Sequence, residues 1–565
     1  MTASQVIVLA IPVFLLMMAG EYAWSRRRGV LAYRFSDTIN SLSLGALSQL
    51  SGLFTKLLTV GIYSAVYRHV AVLDAPDFWG SWYGVLLALL CYDFCYYWLH
   101  RAGHRIAVFW AAHVVHHQSQ QYNLSTALRQ PGTGALLGWL FYLPMALAGV
   151  PPLVFGIVAL IDLLYQFWVH TELVGRLGWF DRVFCSPSNH RVHHAVNDPY
   201  LDRNYGGILI LWDRLFGSFR EEDEACVYGT RADLRSWDPL WANVEVYAQL
   251  ARDSWRTRNW ANKLRVWFAP PGWRPPDVAA RWPRQAFELA RVTRYDPPLE
   301  RAAMWCAGTG FVLLLVAAAA LLWFAHTLDD ATLAIAAAAL LVAFWAIGAL
   351  LQSRLDVWGA ALVVSAVLAT ASSALGLREW HYLFKPLTML LAIAFVLRSH
   401  RVSGQNGLLV AALAAALAGD VLLMLPANLF IAGLAGFLLA HLCYLALFRQ
   451  RVDWFPDRGV LALALGVGAV MLTILWGSLR APLLQAAVGA YVLVICLMAA
   501  QAIGRAGVLQ ERSATLVAVG ACVFMLSDTL IAINRFIVPL PAAGLWVLSS
   551  YYVAQILIVL HADVE

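Results

Sequence analysis

Fifteen apolar runs, each of about 20 residues and so long enough to cross a bilayer, confine this chain to a helical membrane fold. Hydrocarbon offers no hydrogen bonds, so a spanning segment must satisfy its own backbone, and an α-helix does so locally. Five runs lie in the first third, at roughly 4 to 23, 41 to 66, 82 to 99, 134 to 149 and 152 to 169; ten follow between about 303 and 561. With 61% hydrophobic and 13% charged residues, little chain remains for a separate soluble domain. The reading is an all-α polytopic membrane protein of about 15 transmembrane helices, located in the inner or cytoplasmic membrane if bacterial.

The first run has no small-residue cleavage pattern and is followed by Arg26-Arg27-Arg28, which reads as a retained anchor. If those arginines are cytoplasmic, strict alternation places Arg101, Arg105, Arg129, Arg191, Arg354, Arg398, Arg401, Arg449, Arg451, Arg505 and Arg512 on the same side. The eight cysteines are scattered and show neither zinc nor disulfide spacing.

Nine of the fifteen histidines fall between His100 and His194, eight of them in tight clusters: His100 with His104, His113 with His116 and His117, and His190 with His193 and His194. Positions three and four apart share a helix face, so each cluster can offer several imidazoles to one ion. Eight donors exceed one coordination sphere, and two first-row transition metals are the natural count. A lone histidine such as His69, His326, His400 or His561 needs no role beyond packing or the surface. Haem ligation is disfavoured, because these histidines form adjacent doublets outside the apolar runs. Pro151-Pro152 splits the stretch between the second and third clusters into a hairpin that returns to its own side. All three clusters then meet at one cytoplasmic surface, and His170, at the hairpin's return, becomes a ninth candidate ligand.

These clusters, with Asp93 upstream and Asn204-Tyr205-Gly206 downstream, resemble the fatty acid hydroxylase and sterol desaturase superfamily of membrane di-iron oxygenases over roughly residues 30 to 220. The segment Gln166-Phe167-Trp168-Val169-His170-Thr171-Glu172 is similar to the alkylglycerol monooxygenase family. That resemblance implies two irons, O2, and tetrahydrobiopterin or another electron donor, with Glu172 as a candidate for the pterin site. It also implies hydroxylation of an ether-linked carbon, after which a hemiacetal falls apart to a fatty aldehyde. Hydroxylase and desaturase outcomes are not separated by spacing.

Residues 220 to 300 form the one long non-spanning stretch. Between Arg231 and Arg294 stand twelve Lys or Arg against six Asp or Glu, interleaved with seven tryptophans. Indoles and cations favour an anionic membrane interface, so interfacial helices capping the metal site, broken at the proline pairs 270–271 and 275–276, are expected; a nucleic-acid partner is disfavoured in a stretch tethered at both ends.

The second half carries charges inside apolar runs: Lys385, Asp420 and Asp528, with His441. Burying each in a bilayer costs at least about 2.5 kcal/mol, which marks functional candidates. Asp420 and Asp528 both lie roughly 20 Å along their helices from the cytoplasmic end. Two such carboxylates in proximity could split acid and base roles. The motifs Lys385-Pro386-Leu387-Thr388, Gly419-Asp420-Val421-Leu422-Leu423, Ala440-His441-Leu442-Cys443-Tyr444, Leu526-Ser527-Asp528 and Tyr551-Tyr552 resemble the lysoplasmalogenase (YhhN-like) family over about 354 to 565. That resemblance implies an eight-helix bundle hydrolysing the vinyl ether of lysoplasmalogens, again releasing a fatty aldehyde. The expected organisation is a hydroxylase-like domain over 1–300, two joining helices over 301–353 and a hydrolase-like domain over 354–565. Its partners are ether glycerolipids and a reductant. A transporter bundle is the other class for the second half, although no Gly/Pro-interrupted helices occupy matching positions.

Overall fold

The computed structural model describes residues 2–398, 406–427 and 429–562; His400 and Arg401 lie outside the described residues. Among the described residues no strand forms, and only the isolated bridges Phe184–Leu209 and Ala195–Tyr228 interrupt an all-helical chain. Among the described residues twelve helices are long and apolar enough to cross a membrane, or thirteen if the bent pair Phe35–Thr55 and Leu58–Val70 is one span. The expected count of about fifteen is not confirmed.

The difference lies in the hairpin. Its first arm, Ala135–Leu147, breaks at a 3-10 turn over Trp139–Tyr142 and restarts with Pro144 in the first turn. Thirteen residues reach about 20 Å, short of a hydrocarbon core of about 30 Å. The second arm, Pro152–Trp168, has 17 residues. Gly149, at φ +85°, turns the chain between the arms. The hairpin packs on the Trp82–Arg105 helix through Tyr92, Tyr142 and Phe155, with Tyr92 and Tyr142 stacked at 4.6 Å. The turn between the arms returns the chain on itself, and His170, past the end of the second arm, lies beside the clusters.

The chain divides into two compact units, Met1–Leu328 with Ile347–Arg354, and Asp329–Ala346 with Leu355–Glu565. In the first, the Ala3–Arg27 and Phe35–Lys56 helices hold the histidine region from one side. Glu21, buried on the former, accepts from the Leu124 amide at 2.8 Å and bonds Tyr33 and Thr171. The stretch beyond residue 220 supplies Pro239–Arg256, Trp260–Phe268 and Pro276–Arg281. Ala107, Ala111, Leu250 and Val266 form a common core, and the Ala107 amide donates to the Ala269 carbonyl at 2.9 Å, which lays these helices over the second histidine cluster.

The second unit has eight long helices from Val357–Ala374 to Ala543–His561 around one core that includes Met389, Phe448, Met498 and Phe524. The Asn406–Met424 and Phe430–Phe448 helices cross closely at glycines. A Cβ on Gly436 would stand 2.9 Å from the Gly419 nitrogen, so no larger residue fits there. Small residues drive such close crossings in lipid, and this one fixes Asp420, next to Gly419, in the interior.

Candidate metal centre and a buried acidic site

The Trp82–Arg105 helix ends with His100 and His104 on one face. The short helices Val114–His117 and Pro187–His194 bring in the other clusters, the latter capped by Ser186 with proline in its first turn. All nine histidines meet, and they sort into two groups: His100, His104, His113, His117 and His193, and His116, His170, His190 and His194. Within each group the ring nitrogens lie within 4.8 Å of one another. Each three-histidine cluster serves both groups. The pair four apart, His113 with His117 or His190 with His194, stays on one face, and the odd residue, His193 or His116, crosses to the other group. A Cβ on Gly103 would touch the His113 ring at 3.4 Å, so glycine lets that imidazole lie against the helix.

The hydrogen bonds around these rings test whether they suit a metal. His100 Nδ1 lies 2.8 Å from the Tyr205 carbonyl oxygen, His116 Nδ1 3.0 Å from that of Arg129, His170 Nδ1 2.7 Å from that of Gln166, and His193 Nδ1 3.0 Å from that of Arg203. A carbonyl can only accept, so each Nδ1 carries the hydrogen and each Nε2 is a bare lone pair. His116 and His170 then face each other through two lone pairs 3.1 Å apart, a repulsive arrangement unless a cation lies between them. Two nitrogens about 2.1 Å from one ion, at roughly 90–110° to each other, stand about 3.0–3.4 Å apart. The His113–His117 and His170–His190 pairs, at 3.1 and 3.2 Å, have the same spacing. Nε2 of His100, His104, His193 and His194 is buried and has no protein partner among the described residues. Burial also pushes His113, His117, His170, His190, His193 and His194 well below the ordinary imidazole pKa, and His116 down to about 4. Neutral imidazoles are the ligating form. The donor set fits two metal ions.

The supports around the rings had no signal in the histidine spacing. Asp213, fully buried, accepts from the Tyr205 amide at 2.8 Å, the Gly206 amide at 2.7 Å and Ser218 Oγ at 2.6 Å, and so aims the carbonyl that holds His100. Asn204 takes the left-handed φ of +55° that asparagine tolerates, and clamps the Arg220 backbone from both sides. Asp93, quoted above only for the resemblance, accepts from the Ile208 and Leu209 amides and from Trp212, anchoring the far end of the same loop. Buried Arg129 donates to the Val115 carbonyl at 2.7 Å and to Asn40 at 2.8 Å, placing its own carbonyl on His116. Arg191 forms a two-pronged pair with Glu222, both contacts 2.7 Å, and donates to the Thr171 and Val174 carbonyls. It thereby ties the third cluster to the loop that carries Glu172.

Glu172 is exposed on that loop, with Tyr228, Arg191 and Arg294 as its electrostatic neighbours; partial desolvation of its carboxyl raises the pKa above the ordinary glutamate value. Tyr228 stacks on Tyr122 at 4.9 Å, and Tyr122 borders His170 and His194.

In the second unit the four sequence candidates separate into two sites. Lys385 Nζ lies 3.2 Å from Asp420 Oδ1, and Tyr551 donates to Asp420 Oδ2 at 2.7 Å. Asp528 Oδ2 instead accepts from Tyr491 at 2.5 Å and lies 3.3 Å from His441 Nε2. The buried Phe524 ring stands between, 4.7 Å from the His441 ring and 5.5 Å from that of Tyr551. The two aspartates thus share no hydrogen bond, unlike the coupled pair expected from their equal depth. Equal depth on different helices fixes height but not azimuth. Tyr491 and Tyr551 are the functional candidates that a scan for charges passes over.

The sequence model of the fatty acid hydroxylase family matches residues 85–218, and that of the YhhN family matches residues 380–562. Alkylglycerol monooxygenase of Xenopus tropicalis is 35% identical over 303 residues, which cover 54% of this chain and 66% of that protein. The Homo sapiens enzyme of the same name is 38% identical over 270 residues, covering 47% and 59%. A lysoplasmalogenase of Mycobacterium bovis is 34% identical over 178 residues, covering 30% and 66%. The chain therefore spans somewhat less than two thirds of the length of each of these relatives. No solved structure matches. The chain joins a region that matches the fatty acid hydroxylase model and carries the nine histidines to a region that matches the YhhN model and carries Asp420 and Asp528.

Proposed function

We propose that this chain is a bifunctional membrane enzyme that cleaves ether lipids by two routes, each releasing a fatty aldehyde. The reading assigns residues 1–300 to an O2-dependent hydroxylation of alkylglycerol ethers and 354–565 to hydrolysis of the vinyl ether in lysoplasmalogens, with 301–353 as the join. The observation that carries the first half is the convergence of buried, neutral imidazole nitrogens with no protein partner, held by Nδ1–H bonds to fixed carbonyls. Two irons bound there would supply the activation of O2 that an unactivated C–H bond needs. The overall change is insertion of one oxygen atom at the ether-linked carbon, with the second reduced to water by two electrons and two protons from tetrahydrobiopterin or another donor.

The chain's own residues hold geometry and protons. His100, His116, His170 and His193 keep their Nδ1 protons on backbone carbonyls, so the rings cannot rotate away or change tautomer. The loop from Thr171, held by Arg191 and Glu21, presents Glu172, whose raised pKa suits a carboxyl that exchanges a proton with a pterin ring nitrogen. Arg101, Arg105, Arg129 and Arg191 around the histidines support a cytoplasmic placement of this centre. In the hydrolytic half, protonation of the enol ether carbon, addition of water and collapse of the hemiacetal need an acid and no redox partner. Buried Asp420 and partly exposed Asp528, with Lys385 and His441 beside them, support that chemistry.

The test is aldehyde release by the purified full chain from an alkylglycerol and from a lysoplasmalogen, in air and under argon. Alkylglycerol cleavage that requires O2 and reductant, with lysoplasmalogen cleavage indifferent to both, is the expected result. Release from neither substrate overturns the reading.

A further inference from the structure

The four helices Phe430–Phe448, Arg458–Trp476, Pro482–Leu509 and Arg512–Phe536, with Leu423 of Asn406–Met424, line a cavity of about 190 Å³. Its walls are apolar, with Leu434, Phe437, Met471, Val488 and Ala532 among them, and a single charged residue, Asp528, reaches it. Tyr491 lines the same end. Asp420 and Lys385 do not line it.

The two aspartates differ in what their oxygens are free to do. Both oxygens of Asp420 are engaged, Oδ1 by the Lys385 ammonium and Oδ2 by the Tyr551 hydroxyl, and the residue is 2% exposed. On Asp528 both neighbours, Tyr491 and His441, address Oδ2. Oδ1 has no donor among the described residues, and the side chain is 14% exposed, toward the cavity. An acid that delivers a proton to a carbon atom must bring a free oxygen to that carbon. Only Asp528 meets the requirement.

Resting on the vinyl ether reading above, we propose that this cavity receives the apolar chain of an enol ether lipid, that Asp528 is the acid, with Tyr491 and His441 fixing its far oxygen, and that Asp420 is a positioning residue locked to Lys385. Asp528 gives its proton to the carbon of the C=C bond remote from the ether oxygen; the π pair forms the new C–H bond, and the positive charge is shared by the adjacent carbon and the ether oxygen. Water adds its oxygen to that adjacent carbon and returns a proton to Asp528. The hemiacetal then breaks its C–O bond to the glycerol as its hydroxyl releases a proton and forms the C=O bond, and the glycerol oxygen takes up a proton in turn, leaving aldehyde and alcohol. One water is consumed and nothing is oxidised. An apolar cavity suits this sequence because it holds the chain while the polar headgroup stays outside.

The experiment uses the full chain in lipid nanodiscs with a series of lysoplasmalogens of different chain length. Asp528→Asn is expected to lower kcat roughly 100-fold or more, the scale of a lost general acid. Tyr491→Phe is expected to lower kcat with little change in KM and to displace the pH profile of kcat. Ala532→Phe, and Met471→Trp as a second filling variant, are expected to raise KM for the longest chains and spare the shortest. Lys385→Met with Asp420→Leu, which removes the pair together, is expected to lower kcat while the pH profile and chain preference stay as in wild type, and a displaced pH profile overturns the positioning role. Wild-type kcat in Asp528→Asn overturns the proposal, as does unchanged chain preference in both filling variants. If the wild-type chain cleaves no lysoplasmalogen, the vinyl ether reading fails by itself. The cavity is then tested through stabilisation by a 1-alkyl lysophospholipid, which cannot be hydrolysed by this route: loss in Ala532→Phe supports the cavity as a chain site, and equal stabilisation overturns it.

Discussion

Replacing Asp213 with asparagine is a perturbation that touches no histidine yet reaches the metal centre. The carboxylate accepts three hydrogen bonds, from the Tyr205 and Gly206 amides and from Ser218, and the Tyr205 carbonyl in turn holds His100 Nδ1 at 2.8 Å. Asparagine keeps one accepting oxygen and turns an NH2 group toward a backbone N–H. At least one charge-assisted bond is lost, about 1.5–3 kcal/mol. If the loop relaxes by that amount, His100 loses its orientation, and metal affinity falls by about 10–100-fold, the usual effect of disturbing a ligand's hydrogen-bond partner. The group formed by His116, His170, His190 and His194 has its own supports in Arg129 and Gln166 and should be spared. The assay is iron content of the purified chain after dialysis against graded chelator. Wild type should hold both irons at a chelator level where Asp213→Asn holds one. Loss of both together, or of neither at any level, would refute the claim that this loop controls one group separately.

Glu172→Gln should raise KM for the reductant and lower the oxygenase rate while iron content stays at the wild-type level; a fall in iron instead would make Glu172 a structural residue. Burial works against ionisation of Glu222, but hydrogen bonds from Arg191 and Ser188 outweigh it and hold the carboxyl below the ordinary value of 4.5. A depressed acid stabilises the fold above its unfolded pKa, so this contribution is complete above about pH 4.5 and is lost as pH falls below it. Glu222→Gln should therefore cost about 2 kcal/mol near neutral pH, read as faster thermal inactivation, and the gap to wild type should close on acidification. Asp420→Asn alone leaves Lys385 buried without its counter-charge, a loss of about 3–5 kcal/mol, whereas the Lys385→Met, Asp420→Leu double variant should recover much of it; folded yield by size-exclusion chromatography distinguishes them.

Hydropathy alone carried most of the architecture. Every long helix from Arg301 onward was legible because a bilayer-length apolar run has few other uses. In the hairpin apolar content does not translate into span length: Pro144 and the aromatic run before it break the first arm, so an equally apolar segment stops short. Among the histidines, cluster spacing together with the hairpin at Pro151-Pro152 was enough to gather the nine candidates, yet not to divide them. The division depends on how three separate helix ends meet, which periodicity within one helix does not encode. The supports were illegible for a related reason: backbone carbonyls of Tyr205, Arg129, Gln166 and Arg203 do the holding, and any residue type has a carbonyl. Asp420 and Asp528 stood out as charges in apolar runs, but their partners depend on azimuth, which placed Lys385 beside one and Tyr491 and His441 beside the other.

The account rests most heavily on two neighbouring groups of histidines built to hold two metal ions. Its most direct test is the iron content of the full chain purified from iron-supplied cells, measured on wild type, His104→Ala and His190→Ala by elemental analysis with the optical spectrum taken alongside. Two irons per wild-type chain with no haem band, falling toward one in each variant, is the predicted result. A haem spectrum, a wild-type chain with one iron or none, or variants that keep the full complement would contradict it.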